Sequence, residues 1–254
     1  MARLKTANTP DLQVLLAPTS PMMLAVEQAV LRGHTWSVAA APVADRIAVR
    51  IAGAITMNLF QAGHRLLEKD LSETLQVSRA PVREALRILE RERLVQFQAR
   101  HGAVVTAPDA ADLRDIYVVR DALFQILLQQ LMTDRPDALR ATFQRHMPRI
   151  ARAADEGAVD DYTLQSFLLN LEMTALSSNR LVVDLLTSIS LRTLRYVRLG
   201  LAADPSLLKG SLKTWRALQR AVERRDVAAV LDTARKRIAG SRDAAVRAMP
   251  PPAA

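Results

Sequence analysis

The stretch VSRAPVREALRILE, residues 77–90, carries three arginines spaced four apart. Ser78 precedes them and can cap a helix by accepting a hydrogen bond from a free backbone N–H. Pro81 then falls in the first turn, where a missing donor matters little. Val82, Ala85, Leu86 and Leu89 follow the i, i+3, i+4, i+7 spacing of a buried helical stripe. Arg79, Arg83 and Arg87 are left on another face. Such a helix is either solvated in the ordinary way or reads nucleic acid. A recognition helix places its N-terminal residues on base edges, and Arg79 and Arg83 occupy the first two turns. The arginine fork matches guanine O6 and N7. Ser78, at the helix start, suits a phosphate. Arg87 either touches phosphate or is solvated.

The neighbouring residues predict the elements that position this helix. VADRIAVRIAGAITMNLF sets Val43, Ile47, Ile51 and Ile55 at steps of four, which predicts a first helix. The chain turns at Gly63, and LEKDLSETLQ forms a second helix before the arginine-bearing third. LVQFQ and AVVTA flank ARHG, a hairpin with His101 and Gly102 at its tip. Three helices and a two-stranded wing make a winged helix-turn-helix over residues 43–107. PDAADL, 108–113, is a polar joint. Six helical segments follow, near 112–133, 136–155, 159–176, 179–201, 204–224 and 226–247, punctuated by Pro136, Gly157, Ser177-Ser178-Asn179, Asp204-Pro205 and Arg225-Asp226. The fold class is therefore mainly α: an N-terminal winged helix-turn-helix plus a C-terminal antiparallel helical bundle over 108–248. Residues 1–42 read as a partly disordered extension. Within it SPMMLAVEQAVLRG can form a helix with Ser20 as cap, Pro21 first and Gly33 as stop. MPPPAA, 249–254, is a frayed tail.

Composition agrees. Of 254 residues half are hydrophobic, 4% are aromatic and eight are glycine, which favours helix over sheet. The net charge of +9 suits a nucleic-acid partner. The chain has no cysteine, which excludes disulfides and thiolate metal sites and fits the cytoplasm. No apolar run is long enough for a membrane helix, and Asp11 and Pro10 interrupt any signal-peptide core.

AGHRLLEKDLSETLQVSRAPVREALRILERERLV resembles the signature of the GntR family of bacterial transcription regulators. That signature runs from a Pro-Gly turn and a leucine through E-x-x-L-A, G-V-S-R and P-V-R-E-A-L to a glycine-containing wing. The resemblance spans about residues 43–107. Ala62 replaces the usual proline, and Gln76 and Arg93 replace usual glycines. It implies that Lys69 adds a backbone or base contact and that His101 and Gly102 carry the wing tip into the minor groove. The helical remainder is similar to the FadR-type branch, whose effector domain is called FCD.

In FCD domains a metal is usually held by one aspartate and three histidines. Aligning that pattern on Ser177-Ser178-Asn179 and on Asp226 places Ser166, Asn170, Trp215 and Arg237 at the ligand positions, and a shifted register brings Leu164 and Leu168 to the first pair. None is a good ligand. The chain has four histidines, His34, His64, His101 and His146, and one falls in the bundle. No metal and no other cofactor is expected. Arginine can replace the metal's charge with a bidentate fork for a carboxylate. Arg237 stands at a ligand position, Arg120 resembles a pocket arginine of the first FCD helix, and Arg192, Arg195 and Tyr196 can contribute from the fourth. Trp215 adds bulk and an indole donor. The alternatives are a solvated arginine stripe and a tryptophan that simply fills the space.

The expected function is a homodimeric transcription regulator that reads an inverted repeat in double-stranded DNA. Its bundle binds a small organic acid that modulates DNA binding. The alternative is a ligand-independent DNA-binding dimer whose degenerate bundle serves dimerisation or protein partners; a sealed bundle would favour it. No nucleophile–base set, phosphate loop or metal motif supports an enzyme.

Overall fold

The structure, a computed structural model, describes residues 20–31, 42–99, 102–247 and 249. His101, Gly33 and most of the first 42 residues and the tail lie outside the described residues. The chain divides after Ala107 into two compact units.

In the first unit, helix α1 is Pro21–Val30, α2 is Val43–Thr56, α3 is Glu68–Leu75 and α4 is Arg79–Arg91. Strands β1, Arg65–Leu66, β2, Val95–Gln98, and β3, Gly102–Val105, form an antiparallel sheet in the order β1-β3-β2. β1 extends the expected hairpin to three strands, with Arg65 opposite Val104 and Leu66 opposite Ala103. Gly63 makes this possible: at φ +78° it turns the chain, and its N–H donates to the Val105 carbonyl at 2.9 Å.

The α4 stripe is buried as expected, as are Ile47, Ile51 and Ile55 of α2, whereas Val43 is exposed. Val82, Ala85, Leu86 and Leu89 of α4 are all sealed from solvent, together with Ala48, Ala52 and Ala54 of α2. α1 is part of this unit and not a loose appendage. It buries Met22, Met23, Val26 and Val30, and packs against α2 so closely that a Cβ on Gly53 would lie 2.8 Å from Met23 Cε. Glu27 is drawn in with them and pairs with Arg50 at 3.2 Å; burial pushes its carboxyl up, partly offset by that arginine.

Neither Ser20 nor Ser78 caps its helix through its side chain, contrary to the sequence reading. The reason at Ser78 is local. Pro81 sits at the third helical position, so one of the two N–H groups that the hydroxyl could accept is missing.

Several helices end in one motif, in which a left-handed residue lets the next N–H reach back five residues. Leu59 N–H donates to Ala54 O at 2.9 Å, Val77 to Ser72 O at 3.1 Å, Leu94 to Leu89 O at 3.0 Å, Ala158 to Ala153 O at 2.9 Å and Asp226 to Ala221 O at 3.1 Å. The left-handed residues are Asn58, Gln76, Arg93, Gly157 and Arg225, at φ between 53° and 67°. Two of them, Gln76 and Arg93, are the positions where the GntR signature has glycine.

The second unit is a helical bundle: α5 Ala110–Asp134, α6 Pro136–Asp155, α7 Val159–Ala175, α8 Arg180–Ala203, α9 Leu207–Glu223 and α10 Val227–Arg247. α5 starts on a capping box in which Asp109 accepts the N–H groups of Ala111 and Asp112 while Asp112 accepts that of Asp109. Short joins force antiparallel neighbours. α10 packs against α5, α8 and α9, and α7 against α6 and α8. Tyr117, Phe124, Phe143, Tyr162 and Trp215 fill the centre. α8 and α10 approach so closely that a Cβ on Gly200 would fall 2.0 Å from the Ala244 carbonyl oxygen.

Candidate recognition surface and effector cavity

α4 holds Arg79, Arg83 and Arg87 on its exposed face above the buried leucines. Arg83 is not left to wander. Its Nε donates to one oxygen of Glu68 at 2.9 Å and its Nη2 to the other at 2.7 Å. This hydrogen bonding holds the Glu68 carboxyl below the usual range and pushes Arg83 up. Glu68 opens α3, so the pair ties the two helices of the motif together. Arg87 is anchored toward the wing: its Nη1 donates to Glu90 at 2.7 Å and its guanidinium lies 4.2 Å from the centroid of the Phe97 ring. Glu90 also accepts the Phe97 N–H at 3.4 Å. Lys69 is exposed and 3.9 Å from Glu73. Ser78 is exposed, and Gly102 opens β3 at φ +72°. Glu68 and Phe97 were missed by the sequence reading. The signal for Glu68 was its place one helix before Arg83, which is legible only once α3 and α4 are docked.

The second unit contains a cavity of about 310 Å³. Arg120 of α5, Ser166 and Asn170 of α7, and Arg237 of α10 all line it, as the sequence predicts. Trp215 lies beneath, sealed from solvent, with the Arg237 guanidinium 3.6 Å above its ring and its Nε1 donating to Ser166 Oγ at 3.3 Å. Arg192, Arg195 and Tyr196 do not line it, which corrects the sequence reading. α8 faces the cavity with Ser190, Thr193, Leu194, Val197 and Leu201. Arg192, Arg195 and Tyr196 are each one residue off that stripe, about 100° around the helix. Tyr162, Thr163, Thr193 and Ser211, which the sequence reading missed, also line it, as do the charged Lys236, Asp243 and Arg247. Small hydroxyl residues on helices carry no periodic signal that separates cavity from core.

The charge balance of the cavity is unusual. Arg120 and Arg237 are 6% and 8% exposed, and among the described residues neither has a carboxylate partner. Arg120 Nη1 donates to Thr193 Oγ1 at 2.6 Å. Burial pulls Arg237 down to about 10; the Arg120 charge adds to this, and Tyr162 opposes it. Burial also lowers Arg120, partly offset by Tyr117. Arg237 Nε and Asn170 Oδ1 are buried with no hydrogen-bond partner. A buried guanidinium without a paired counter-charge is costly, and the lining carboxylate, Asp243, pairs with Arg242.

The metal of FCD domains does not fit here. The four ligand positions hold a serine whose hydroxyl accepts the Trp215 N–H, an amide, an indole and a cation. A metal would face the positive charge of Arg237. The bundle histidine, His146, is elsewhere engaged, with Nε2 2.7 Å from Glu172 Oε2, and Arg145 shares that carboxylate. Among the described residues no three His, Cys, Asp or Glu side chains come together as a metal site.

Comparison with known proteins agrees with these two units. The family model "Bacterial regulatory proteins, gntR family" matches residues 43–105, and the FCD domain model matches residues 115–240. The HTH-type transcriptional regulator YdhC of Bacillus subtilis is 29% identical over 101 residues, 40% of this chain and 45% of that protein. The gluconate operon transcriptional repressor of Bacillus licheniformis is 27% identical over 125 residues, 49% of this chain and 51% of that protein. The chain thus spans about half the length of the curated relatives it matches. Among solved structures, a GntR transcriptional regulator from Rhodococcus sp. RHA1 superposes with a TM-score of 0.68 at 18% identity, covering 82% of this chain and 99% of that one. Escherichia coli McbR/YncC gives a TM-score of 0.67 at 17% identity, covering 78% and 94%. A winged helix with the GntR signature, followed by an FCD bundle, places the chain in the GntR family of bacterial regulatory proteins, a family of transcription regulators and not of enzymes.

Proposed function

We propose that the protein is a sequence-specific DNA-binding transcription regulator acting in the cytoplasm, and that its FCD domain binds a small organic anion that modulates DNA binding. Arg79 and Arg83 read base edges in the major groove, and Lys69, Ser78 and Arg87 hold the phosphate backbone. Gly102, with His101 beside it, carries the wing to the minor groove. The uncapped Ser78 hydroxyl is free of helix duty, which supports its phosphate role. No helix is long and apolar enough to cross a membrane among the described residues.

The observation that carries the effector half is the pair of buried guanidinium groups, Arg120 and Arg237, in a cavity whose lining carboxylate, Asp243, is paired with Arg242 instead. The cavity speaks against the ligand-independent alternative, which expects a sealed bundle. An anion bound there alters DNA binding only if it prefers one arrangement of the dimer over another.

One recognition helix reads too few bases for genomic specificity, so the regulator works as a homodimer on an inverted repeat. The surface we assign to the second copy is on the bundle. Val118, Val119 and Ile126 of α5 and Leu181 and Leu185 of α8 are all exposed, and these two helices pack side by side.

The test is selection of an operator from a random DNA pool, followed by thermal melting of the protein with a panel of small carboxylates. The reading expects a two-fold related operator and at least one carboxylate that raises the melting temperature of wild type but not of Arg237→Met. A protein with no sequence preference, or stabilisation by acids that survives in Arg237→Met, contradicts it.

A further inference from the structure

Helix α9 carries a row of cations that the bundle does not use. Lys209, Lys213, Arg216 and Arg220 are all exposed, and Arg224 follows at the C-terminal cap. Steps of four, three, four and four keep the row within an arc of about 80°, on the side away from the buried Leu208, Leu212, Trp215, Leu218 and Val222. Among the described residues none of these cations forms an ion pair. Other exposed cations of the bundle do: Arg140 pairs with Asp137, Arg152 with Glu156 and Arg235 with Asp121. Glu223, which adjoins the row, accepts from Gln219 at 2.9 Å instead.

Left to itself the row works against the helix. Like charges three and four residues apart repel. Lys209 stands in the first turn, which holds no acid, so it also meets the positive end of the helix dipole. An anionic partner relieves both. The row is about 22 Å long with charges about 6 Å apart, which fits a polyanion and not a single small anion. The surface chemistry then separates one polyanion from another. Among the described residues α9 exposes no large hydrophobic side chain. It therefore has neither the insertable apolar groups of a membrane-surface helix nor the aromatic anchors of a protein interface. Duplex DNA needs neither, because lysine and arginine alone meet its phosphates. We propose that the exposed face of α9 binds the phosphate backbone of duplex DNA outside the bases that α4 reads, which makes the effector domain a second DNA-binding unit without sequence preference. This rests on the operator binding proposed for α4 and adds an electrostatic contact to it.

The experiment compares two duplexes across a salt series: the selected operator alone, and the same operator with about 20 unrelated base pairs, two helical turns, on each side. Full-length wild type should bind the flanked duplex on the order of tenfold tighter at about 0.1 M salt, with a steeper fall as salt rises. A triple variant, Lys213→Gln with Arg216→Gln and Arg220→Gln, replaces exposed cations with another good helix former and should melt no lower than wild type. It should keep the affinity for the bare operator and lose the advantage of the flanks. Its salt slope on the flanked duplex should be flatter by about 0.9 for each cation removed. A control, Arg140→Gln with Arg152→Gln and Arg235→Gln, removes the same charge from paired positions and should retain the advantage. Wild type that binds both duplexes equally overturns the proposal. So does a flank advantage that survives the α9 variant, or one that the control loses as well. Phosphatidylglycerol vesicles bound by wild type and not by the α9 variant, without a flank advantage on DNA, assign the row to a membrane and also overturn it. A flanked duplex bound in an α9-dependent way, with no binding to the bare operator, sinks the α4 reading and leaves this contact standing. No binding to either duplex overturns both.

Discussion

Arg83 and Glu68 meet side-on: Nε and Nη2 of the arginine each donate to a separate oxygen of the carboxylate, at 2.9 and 2.7 Å. A guanidinium has five N–H groups, and this pairing uses two. The end-on pair, one N–H on each Nη, stays available and is the pair that fits guanine O6 and N7. Glu68 therefore holds the arginine in place while leaving that end-on pair free.

Two variants separate orientation from competition. Arg83→Ala should lower operator affinity roughly five- to a hundredfold and relax preference at one base position. Glu68→Gln should weaken binding by less, in the same direction and at the same position. Binding to a set of single-base operator variants measures both. If Glu68→Gln tightens binding, the carboxylate competes with DNA and the orienting role is wrong.

Gln76 and Arg93 adopt left-handed backbone at φ 53° and 55°. A side chain is strained there, and glycine is not. Gln76→Gly and Arg93→Gly should each stabilise the protein by about 0.5–1 kcal/mol, after the added freedom of the unfolded chain is counted. Gln76 should gain less, because its side chain donates to Glu73 O at 2.7 Å. Denaturant unfolding of the two variants checks this. The same positions explain why the GntR signature has glycine at both.

Gly200→Ala should act in the opposite sense. Its Cβ would arrive 2.0 Å from the Ala244 oxygen, a backbone atom that cannot swing away. Separating α8 from α10 should cost about 1–3 kcal/mol and disturb the cavity that Leu201 and Ala244 line. An unchanged melting temperature contradicts this packing.

The elements were largely legible from the sequence, because Pro136, Gly157 and Asp204-Pro205 break helices for plain stereochemical reasons and α4 repeats its leucines at helical spacing. β1 was not, since two residues show no alternation and its pairing depends on the turn at Gly63. Arg120, Ser166, Asn170 and Arg237 were found by carrying a family pattern onto this chain. Arg192 and Tyr196 were misplaced because an error of one residue turns a side chain about 100° around a helix. The partners that give the arginines their geometry, Glu68 and Trp215, are distant in sequence, and neither pairing follows from spacing.

The exposed aliphatics on α5 and α8 predict where the dimer separates. Val118→Glu with Leu181→Glu should yield a monomer by light scattering, with unchanged helix content and much weaker binding to an inverted-repeat operator. A double variant that remains dimeric places the interface elsewhere.

Arg237 should make the unliganded protein less stable than it need be. Its folded-state value, lowered by burial to about 10, means folding disfavours the charge that the unfolded chain retains. The penalty is fully present below that value and lifts as pH rises through it toward the ordinary arginine range. At neutral pH it is on the order of 3 kcal/mol. Arg237→Met should therefore melt higher than wild type without ligand, less what is lost with the Trp215 stack, and should no longer respond to anions. Anion affinity of wild type should stay level from pH 6 to about 8.5 and fall as pH passes about 10, when the free arginine loses its proton. A lower melting temperature for Arg237→Met contradicts the uncompensated charge.

The most direct test titrates the complex of protein and selected operator with the tightest-binding carboxylate, with and without a metal chelator. Operator affinity of wild type should shift by roughly fivefold or more at saturation, and that of Arg237→Met should not move. An operator affinity indifferent to the acid, or a response that disappears with the chelator, would contradict a metal-free anion switch built on Arg120 and Arg237.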